Sequence, residues 1–268
     1  MPIETETLKP DSMARTKNTR VPIITYHSID DSGSVVSTSS AVFRRQMKYL
    51  SEAGYTSLQL RDMISTFKNG NQLPAKPVVL TFDDGFKNFY SHAFPVLSEF
   101  GLCATVFLVT DFCGRHNDWG GNPPELPRSE LLSWSDIKAL NDAGIEFGSH
   151  TRTHPDLTKL SSAAAEAEIT QSKSMIEDAL GKETVTFAYP FGRKNASIRN
   201  IAAANFGASC SVELGKMTTR SDFSSLERID SYYLKNQRLL EMLPSATFDR
   251  YMSVRQILRS VKSLVSGN

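Results

Sequence analysis

One pattern of apolar and polar positions repeats along most of the chain: helical apolar spacing, then a glycine, then a short β-rich run. The segment "AVFRRQMKYLSEAG" places Phe43, Met47 and Leu50 on one helical face and closes at Gly54. Glycine suits a helix end because it adopts the left-handed backbone conformation without steric cost. Four later segments repeat this order and close at Gly101, Gly144, Gly181 and Gly207.

Five helix-glycine-strand units in succession predict a parallel sheet covered by helices, since parallel strands need crossover connections. Seven or eight strands would suit an α/β fold built as a distorted or incomplete (β/α)7–8 barrel with helices outside. An open doubly wound sheet is the alternative. We expect strands near residues 21–26, 56–60, 78–82, 103–109, 145–148, 185–189 and 209–212, with one more candidate near 226–234.

The two ends of the chain differ from this repeating part. Residues 1–20 are polar and of mixed charge and predict a flexible arm, which leaves residues 21–268 as a single domain. The last segment predicts a helix that docks on the barrel by an apolar stripe, rather than a membrane-binding helix. The stripe contains Val254, Ile257, Leu258, Val261, Leu264 and Val265, and the opposite, solvated face contains Arg255, Arg259, Lys262 and Ser263.

Composition excludes several classes of protein. Thirty basic and twenty-nine acidic residues leave a net charge of +1, which gives no global reason to expect nucleic acid or an anionic membrane as partner. The three cysteines, Cys103, Cys113 and Cys210, are an odd number and do not form a disulfide framework. No apolar run is long enough to span a membrane, and the first 20 residues contain no apolar signal region. We therefore expect a cytoplasmic protein as the sequence stands, or an extracellular one if a native leader is missing.

Polar residues follow three of the predicted strands, and a tight turn follows a fourth. His27 ends the first strand, Asp83 and Asp84 end "VVLTFDD", His150 ends "IEFGSH", and a turn around Phe191 ends "TFAYPFG". In α/β barrels and open α/β sheets, functional residues collect at the carboxyl ends of the strands. These side chains are therefore expected at one rim.

His150 and His154 are four residues apart, a spacing that lets two imidazoles reach one metal ion. Pro155 disfavours helical geometry at His154, so we expect the pair on a single turn or a loop. The Asp83-Asp84 pair can supply the carboxylate ligand, although Asp-Gly is also a common surface-turn dipeptide. A buried preceding strand favours a site, because one carboxylate can bind a cation while its neighbour stays ionised and acts as a base.

The motifs "TFDDG", "SHTRTHP" and "YPFG", in this order, resemble those of the polysaccharide deacetylases, the family of nodulation-type chitooligosaccharide deacetylases and related carbohydrate esterases. The resemblance covers roughly residues 21–232. It implies a distorted β/α barrel, a divalent metal, most commonly Zn²⁺, and removal of N-acetyl groups from N-acetylglucosamine-containing oligo- or polysaccharide. By this resemblance Asp83 is the general base, and Asp84, His150 and His154 are the metal ligands.

The chain departs from the family pattern in three places. Ala188 stands where many members have an arginine, and Phe191 replaces a tyrosine whose backbone N–H serves as oxyanion donor. No histidine follows His154, whereas many members have a late histidine as general acid. However, "ITYHSI" resembles the branch that de-acetylates poly-β-1,6-N-acetylglucosamine, in which an N-terminal Tyr-His element supplies the acid. His27, by itself more typical of a structural residue, is then the candidate.

Other functions compete with this hypothesis. The same scaffold could carry a hydrolase for a small amide or cyclic ureide, or an O-acetyl carbohydrate esterase. A non-catalytic carbohydrate-binding relative and a structural protein are further alternatives, of which the last predicts no bound metal. The sequence contains no G-x-S-x-G, P-loop or G-x-G-x-x-G motif, which argues against the commonest hydrolase and nucleotide-binding classes.

Overall fold

The computed structural model describes residues 19–122 and 125–266, with side chains up to residue 262. Within these residues, a parallel sheet of seven strands closes into a barrel, and an eighth strand pairs with the beginning of one of them. The strands are β1 Ile23–Tyr26, β2 Ser28–Ile29, β3 Ser37–Thr38, β4 Thr56–Leu58, β5 Pro77–Phe82, β6 Thr105–Leu108, β7 Glu146–Ser149, β8 Thr186–Ala188, β9 Ala208–Leu214 and β10 Leu226–Asp230.

The barrel closes because β1 pairs with two strands, β10 on one side and β5 on the other. From β1 the order runs β10, β9, β8, β7, β6, β5 and back to β1, while β4 pairs with the first residues of β5, Pro77 to Val79, and the short β2 and β3 pair separately. The predicted (β/α) barrel is therefore confirmed and the open sheet is excluded. The candidate strand near 226–234 exists as β10, and it is the strand that closes the barrel.

Helices cover the outside of the barrel. They are α1 Ser40–Glu52, α2 Leu60–Lys68, α3 Phe94–Glu99, α4 Trp134–Asp142, α5 Ser162–Leu180, α6 Ala196–Asn205, α7 Gln237–Glu241 and α8 Ala246–Ser266. A π-helical turn at Phe89–Ala93 precedes α3, and 3-10 turns lie at Thr110–Phe112, Leu157–Lys159, Pro190–Gly192 and Ser231–Leu234. Among these, α2 and α7 lie outside the five units that the pattern predicts.

Four of the five predicted helix-ending glycines have the expected backbone. Gly54, Gly101, Gly144 and Gly181 have φ between 66° and 91°. At Gly207 the prediction is wrong, because α6 ends on an extended Phe206 and the chain enters β9 without a left-handed residue.

Alternation along the strands separates two apolar layers. Residues such as Ile24 and Leu80 pack with the inner faces of the helices. Val79, Phe107 and Leu226 pack with one another inside the barrel. Because successive side chains of a strand point to opposite faces, Thr81 and Asp83 follow Val79 on the interior side of β5. The interior thus begins apolar and becomes polar toward the carboxyl ends of the strands.

The final helix does not dock as predicted. Phe248 and Met252 of α8 are buried against the barrel, whereas the predicted stripe faces solvent, with Val254, Ile257, Leu258 and Val261 between 52 and 62% exposed. The side chains of Leu264 and Val265 lie outside the described residues. The docking prediction is wrong for the four visible positions because Phe248 and Met252, on the opposite side of the helix, supply the contact.

Three further expectations concern the cysteines, membrane-spanning helices and the N-terminal arm. All three cysteines are free. No helix among the residues described has the length and apolarity that crossing a bilayer requires. Apart from Thr19 and Arg20, the predicted N-terminal arm lies outside the described residues, so the division into arm and single domain stays a prediction.

Gly148 of β7 tests the packing of the barrel interior. A Cβ atom at this position would lie 2.6 Å from Oγ1 of Thr186 and 2.7 Å from the ring of Phe107. We expect Gly148→Ala to destabilise the protein by about 1–3 kcal/mol in urea denaturation, as overpacking of a core does. Gly120→Ala is the control, since nothing lies within 4 Å of its added Cβ and its φ is not positive. Equal stability of the two variants would contradict this interior packing.

Candidate metal centre and catalytic residues

The carboxyl ends of the barrel strands bring the predicted site residues together. Asp83 and Asp84 follow β5, His150 follows β7, and the Phe191 turn follows β8. The pairing of β1 with β5 continues one step beyond the strands, where the N–H of Asp83 donates to the carbonyl of Tyr26 at 2.9 Å. This register places His27, the next residue after Tyr26, beside the carboxylates.

Three buried side chains form the candidate metal centre. Oδ1 of Asp84 lies 3.5 Å from Nε2 of His150 and 3.5 Å from Nε2 of His154. The two Nε2 atoms are 3.2 Å apart. In a tetrahedral zinc site, ligand bonds of about 2.0–2.2 Å place neighbouring ligand atoms about 3.4 Å apart. The triangle therefore has the size that a divalent ion requires.

The polar atoms of this triangle also lack the partners that buried groups normally have. Oδ1 of Asp84 and Nδ1 of His154 are buried without a hydrogen bond. Burial and the neighbouring imidazole of His150 hold the pKa of His154 well below its usual value, so its ring is neutral, as a ligand must be. Burial raises the pKa of Asp84. A cation between these groups would satisfy the carboxylate, and the residues present fit a metal ion.

The ring of His150 is oriented by a backbone acceptor. Its Nδ1 lies 2.7 Å from the carbonyl oxygen of Ala188, so Nδ1–H donates and the Nε2 lone pair faces Asp84 and His154. Metal-binding histidines commonly use their second nitrogen in this way.

A network outside the barrel holds the loop between the two histidines. The N–H of His154 donates to Oγ1 of Thr151 at 3.0 Å. The carboxylate of Glu168 on α5 accepts from the backbone N–H groups of Arg152 and Thr153 at 3.0 and 2.9 Å. Arg152 also forms a bidentate pair with Asp111. As predicted, the histidine pair lies on a loop and not inside a helix.

Asp83 is held by a residue that the sequence interpretation missed. Arg228 of β10 donates to Oδ1 and Oδ2 of Asp83, each at 2.7 Å, and its Nε donates to the carbonyl of Ser211 at 2.8 Å. Both side chains are almost completely buried. Burial alone would raise the pKa of Asp83, but the charge and hydrogen bonds of Arg228 outweigh it and hold the pKa well below its usual range. Asp83 is therefore ionised at neutral pH.

His27 lies next to this carboxylate. Its Nε2 is 3.8 Å from Oδ2 of Asp83, and its side chain is 28% exposed. That distance is too long for a direct hydrogen bond, and it leaves the imidazole accessible to a molecule at the rim.

Two aromatic rings enclose His154. The ring of Trp119 lies 4.8 Å from that of His154, and the ring of Phe191 lies 4.5 Å away, measured between centroids. Gly121, in the same loop as Trp119, approaches Phe191, since a Cβ at Gly121 would lie 3.4 Å from its ring. The long loop that contains Trp119 therefore forms one apolar wall of the site.

Unusual backbone conformations concentrate at this rim. Among the described residues, four non-glycine residues have positive φ: Asp84, Thr151, His154 and Phe191. Such conformations cost roughly 1–3 kcal/mol each and persist where the surroundings determine them strongly. Gly85, directly after Asp84, has φ 73° and makes a tight turn beside the two carboxylates. The backbone thus places side chains here at the expense of local stability.

The two missed residues, Arg228 and Trp119, left different signals in the sequence. Arg228 lies next to apolar Ile229 in the candidate strand near 226–234, so the two side chains face opposite sides of the sheet. A charge that faces the interior requires a buried partner. Trp119 lies in a loop, and nothing in its local sequence marks it as a site residue. At position 188 on β8, where the family resemblance leads us to expect an arginine, this chain has a buried alanine. The guanidinium that pairs with Asp83 comes from β10 instead.

The fold and the site geometry define a barrel with a candidate metal centre at its carboxyl rim. A model of the polysaccharide deacetylase family matches residues 70–207. The chain belongs to this family.

Two curated relatives agree with this assignment. A Bacillus subtilis protein named as a polysaccharide deacetylase is 29% identical over 179 residues, which cover 67% of this chain and 59% of the relative. The poly-β-1,6-N-acetyl-D-glucosamine N-deacetylase of Staphylococcus aureus is 27% identical over 168 residues, which cover 59% of this chain and 55% of the enzyme. The chain therefore spans little more than half the length of these relatives.

Solved structures extend the similarity to about four-fifths of the chain. The deacetylase PplD of Streptococcus pyogenes, in complex with acetate, has a TM-score of 0.70 at 26% identity and covers 79% of this chain and 92% of that one. A polysaccharide deacetylase of Bacillus cereus has a TM-score of 0.67 at 29% identity, covering 79% and 65%. IcaB of Ammonifex degensii shares the fold with a TM-score of 0.67 at 24% identity, covering 80% and 92%.

The Arg228–Asp83 pair provides a prediction for stability. Arg228→Met should destabilise the protein by about 3–5 kcal/mol in urea denaturation, because it leaves a buried carboxylate without its counter-ion. Arg44→Met, which breaks the exposed pair of Arg44 with Glu99, should cost less than about 1 kcal/mol. Adding Asp83→Asn to Arg228→Met should cost less than the two single changes summed, since the lone charge is then gone. Additive losses would contradict the direct pairing.

Proposed function

We propose that this protein is a metal-dependent hydrolase that removes N-acetyl groups from N-acetylglucosamine-containing oligo- or polysaccharide. One observation carries the proposal: the Asp84, His150 and His154 triangle lies beside Asp83, an ionised carboxylate that does not belong to it. A ligand set and a separate base at one rim are the two parts that hydrolysis by an activated water needs. The alternative functions on this scaffold, O-acetyl ester hydrolysis or hydrolysis of a small amide, would use the same ligand set and base.

The relatives support the substrate class. The Staphylococcus aureus relative is named for N-deacetylation of poly-β-1,6-N-acetyl-D-glucosamine, and the PplD structure contains acetate, the acid that N-deacetylation releases. The "YHSI" element at His27 agrees with the first of these.

Asp84, His150 and His154 would hold the metal, with Zn²⁺ the best match to two imidazoles and a carboxylate. A divalent ion bound there would polarise the acetyl carbonyl and lower the pKa of its water to roughly 7. The chain itself prepares the ligands, since His154 is neutral and the Nδ1 of His150 is engaged by the carbonyl of Ala188.

Asp83 is proposed as the general base. Arg228 occupies one direction on each of its carboxylate oxygens, and each oxygen keeps a second lone pair for another donor. Because Arg228 depresses the pKa of Asp83, the carboxylate is a weak base and can only take a proton from a water that is already acidified. Arg228 is therefore a positioning residue that keeps Asp83 charged and fixed.

His27 is proposed as the general acid. Amine leaving groups depart poorly unless they are protonated, and a histidine within reach of the scissile bond supplies that proton. Nε2 of His27 lies 3.8 Å from Oδ2 of Asp83, so proton acceptor and proton donor stand side by side. The partial exposure of His27 lets the proton be replenished from solvent after each turnover.

Phe191 is proposed to contribute its backbone N–H to the developing oxyanion. Its φ of 57° belongs to the tight turn Pro190–Gly192, directly after β8. Losing one such donor typically costs about 3 kcal/mol of barrier. The side chain has a separate role, since its ring packs against His154.

Mass spectrometry of N-acetylglucosamine oligomers, incubated with the protein in the presence and absence of chelator, tests the proposed function. We expect loss of acetyl groups that chelator abolishes and added Zn²⁺ restores. Loss of acetyl only from O-acetylated glycans would assign the esterase alternative. Stoichiometric metal with no turnover on any acetylated glycan would assign the carbohydrate-binding alternative.

The metal ligands and the base are separable by mutation. His154→Ala should lose metal, because two ligands remain of three, whereas Asp83→Asn should retain metal and lose nearly all turnover. Metal content after dialysis, measured by inductively coupled plasma mass spectrometry, reads the first property independently of activity. His116→Ala is the control, since His116 lies in the long loop outside the triangle. An Asp83→Asn protein with wild-type turnover would remove Asp83 from the base role.

His27 can be separated from the metal site by the leaving group. His27→Ala should lower turnover on an N-acetylated oligomer by on the order of 10² or more, but that on an activated aryl acetate much less, since phenolates leave without protonation. The comparison requires kcat for both substrates with the same enzyme preparation. Equal losses on amide and ester would rule out His27 as the acid.

A further inference from the structure

The outward face of the final helix, α8, is apolar and has no partner among the described residues. Val254, Ile257, Leu258 and Val261 are between 52 and 62% exposed. Their spacing of three and four residues places them on one side of the helix. Four neighbouring exposed aliphatic side chains on one helix face are a feature of interaction surfaces rather than of ordinary protein surface.

The opposite side of α8 is fixed to the barrel. Phe248 and Met252 are buried, and the side-chain oxygen of Gln256 accepts from the N–H of Leu214 at 2.9 Å. Arg259 donates to the carbonyl of Val212 at 3.2 Å. The helix cannot rotate its apolar face inward without breaking these contacts. The apolar stripe is therefore a stable outer surface of the folded protein.

The charge of this segment differs from that of the chain as a whole. From residue 250 to residue 268 the sequence contains four basic residues and no acidic residue, although the net charge of the protein is only +1. The basic residues are Arg250, Arg255, Arg259 and Lys262. In the helical projection Arg250 lies in line with the exposed aliphatic side chains, whereas Arg255, Arg259 and Lys262 lie together on one side of the stripe.

We propose that α8 binds the surface of an anionic lipid bilayer, with its axis in the plane of the interface. Helices with this function combine an apolar face, which enters the boundary of the acyl chains, with basic residues that contact anionic headgroups. The positive charge favours this occupant over a second copy of the chain. A two-fold contact through the stripe would bring the basic residues of both copies together.

The position of α8 relates this surface to the rim of the barrel. Arg259 contacts the carbonyl of Val212, and the side chain of Val212 packs on Gly192, where an added Cβ would lie 2.2 Å from it. Gly192 directly follows Phe191 in the turn beside the metal triangle. A bilayer bound by α8 therefore lies on the side of the barrel that carries this turn. The proposal itself does not depend on the proposed function.

Vesicle co-sedimentation of the full chain tests the proposal. The probes are vesicles of phosphatidylcholine alone and of an equal mixture of phosphatidylcholine and phosphatidylglycerol. We expect binding to the anionic vesicles that is at least tenfold stronger than to the neutral ones and that weakens with added salt. Binding to neither, or equal binding to both, would overturn the proposal.

Two pairs of variants locate the surface. The double change Ile257→Gln and Leu258→Gln should reduce binding to anionic vesicles at least tenfold, whereas Val35→Gln, at another highly exposed aliphatic residue, should leave it unchanged. Lys262→Gln should reduce binding roughly fivefold, the effect of one basic residue near such a surface. Lys48→Gln on α1 is its control, because Lys48 is an exposed lysine on another helix.

Two further measurements keep the outcome interpretable. Circular dichroism should show unchanged helix content in the double variant, because these side chains are exposed and their removal opens no core. Sedimentation velocity without lipid should show the same state for wild type and double variant. Self-association that the double variant abolishes would assign the stripe to a second copy and overturn the lipid proposal, as would a double variant that binds vesicles like the wild type.

Discussion

The placement of two adjacent carboxylates, both buried at the end of β5, is the constraint on which the rest of the site depends. Ionised neighbours repel, and each needs a positive partner of its own in a low-dielectric interior. Asp83 obtains one from Arg228, which lies 145 residues later in the chain. Asp84 faces two imidazoles and keeps a buried oxygen without a hydrogen bond, which a metal ion would satisfy. The strand that closes the barrel, β10, thus also supplies the counter-ion that keeps Asp83 charged.

The rim also shows how a rigid scaffold holds a strained site. The left-handed backbones of Asp84, His154 and Phe191 are unfavourable in isolation, yet each directly follows or closely follows a barrel strand. Hydrogen bonds from outside the rim, above all to Glu168 on α5, oppose relaxation of the histidine loop. The helices that cover the barrel therefore stabilise the fold and at the same time maintain the geometry of the site.

The final helix illustrates the difference between total charge and local charge. A net charge of +1 gives no reason to expect an anionic partner, but the charges are not evenly distributed. All charged residues of the sequence from residue 250 onward are basic. An apolar stripe at helical spacing usually marks the buried side of a helix. Here Phe248 and Met252 supply the buried contact, so the apolar stripe marks the side of the helix that faces solvent.

The sequence by itself determined the strand order in the chain, the β/α alternation and four side chains at the rim: Asp83, Asp84, His150 and His154. Local signals sufficed because parallel strands bring all their carboxyl ends to one edge, whatever the details of packing. Tertiary structure decided the closure of the barrel, the Arg228 partner of Asp83, the Trp119 wall and the outward direction of the α8 stripe. Each of these depends on contacts between residues that are distant in sequence. Periodicity records which face of an element is apolar, but only the packed fold decides what that face meets.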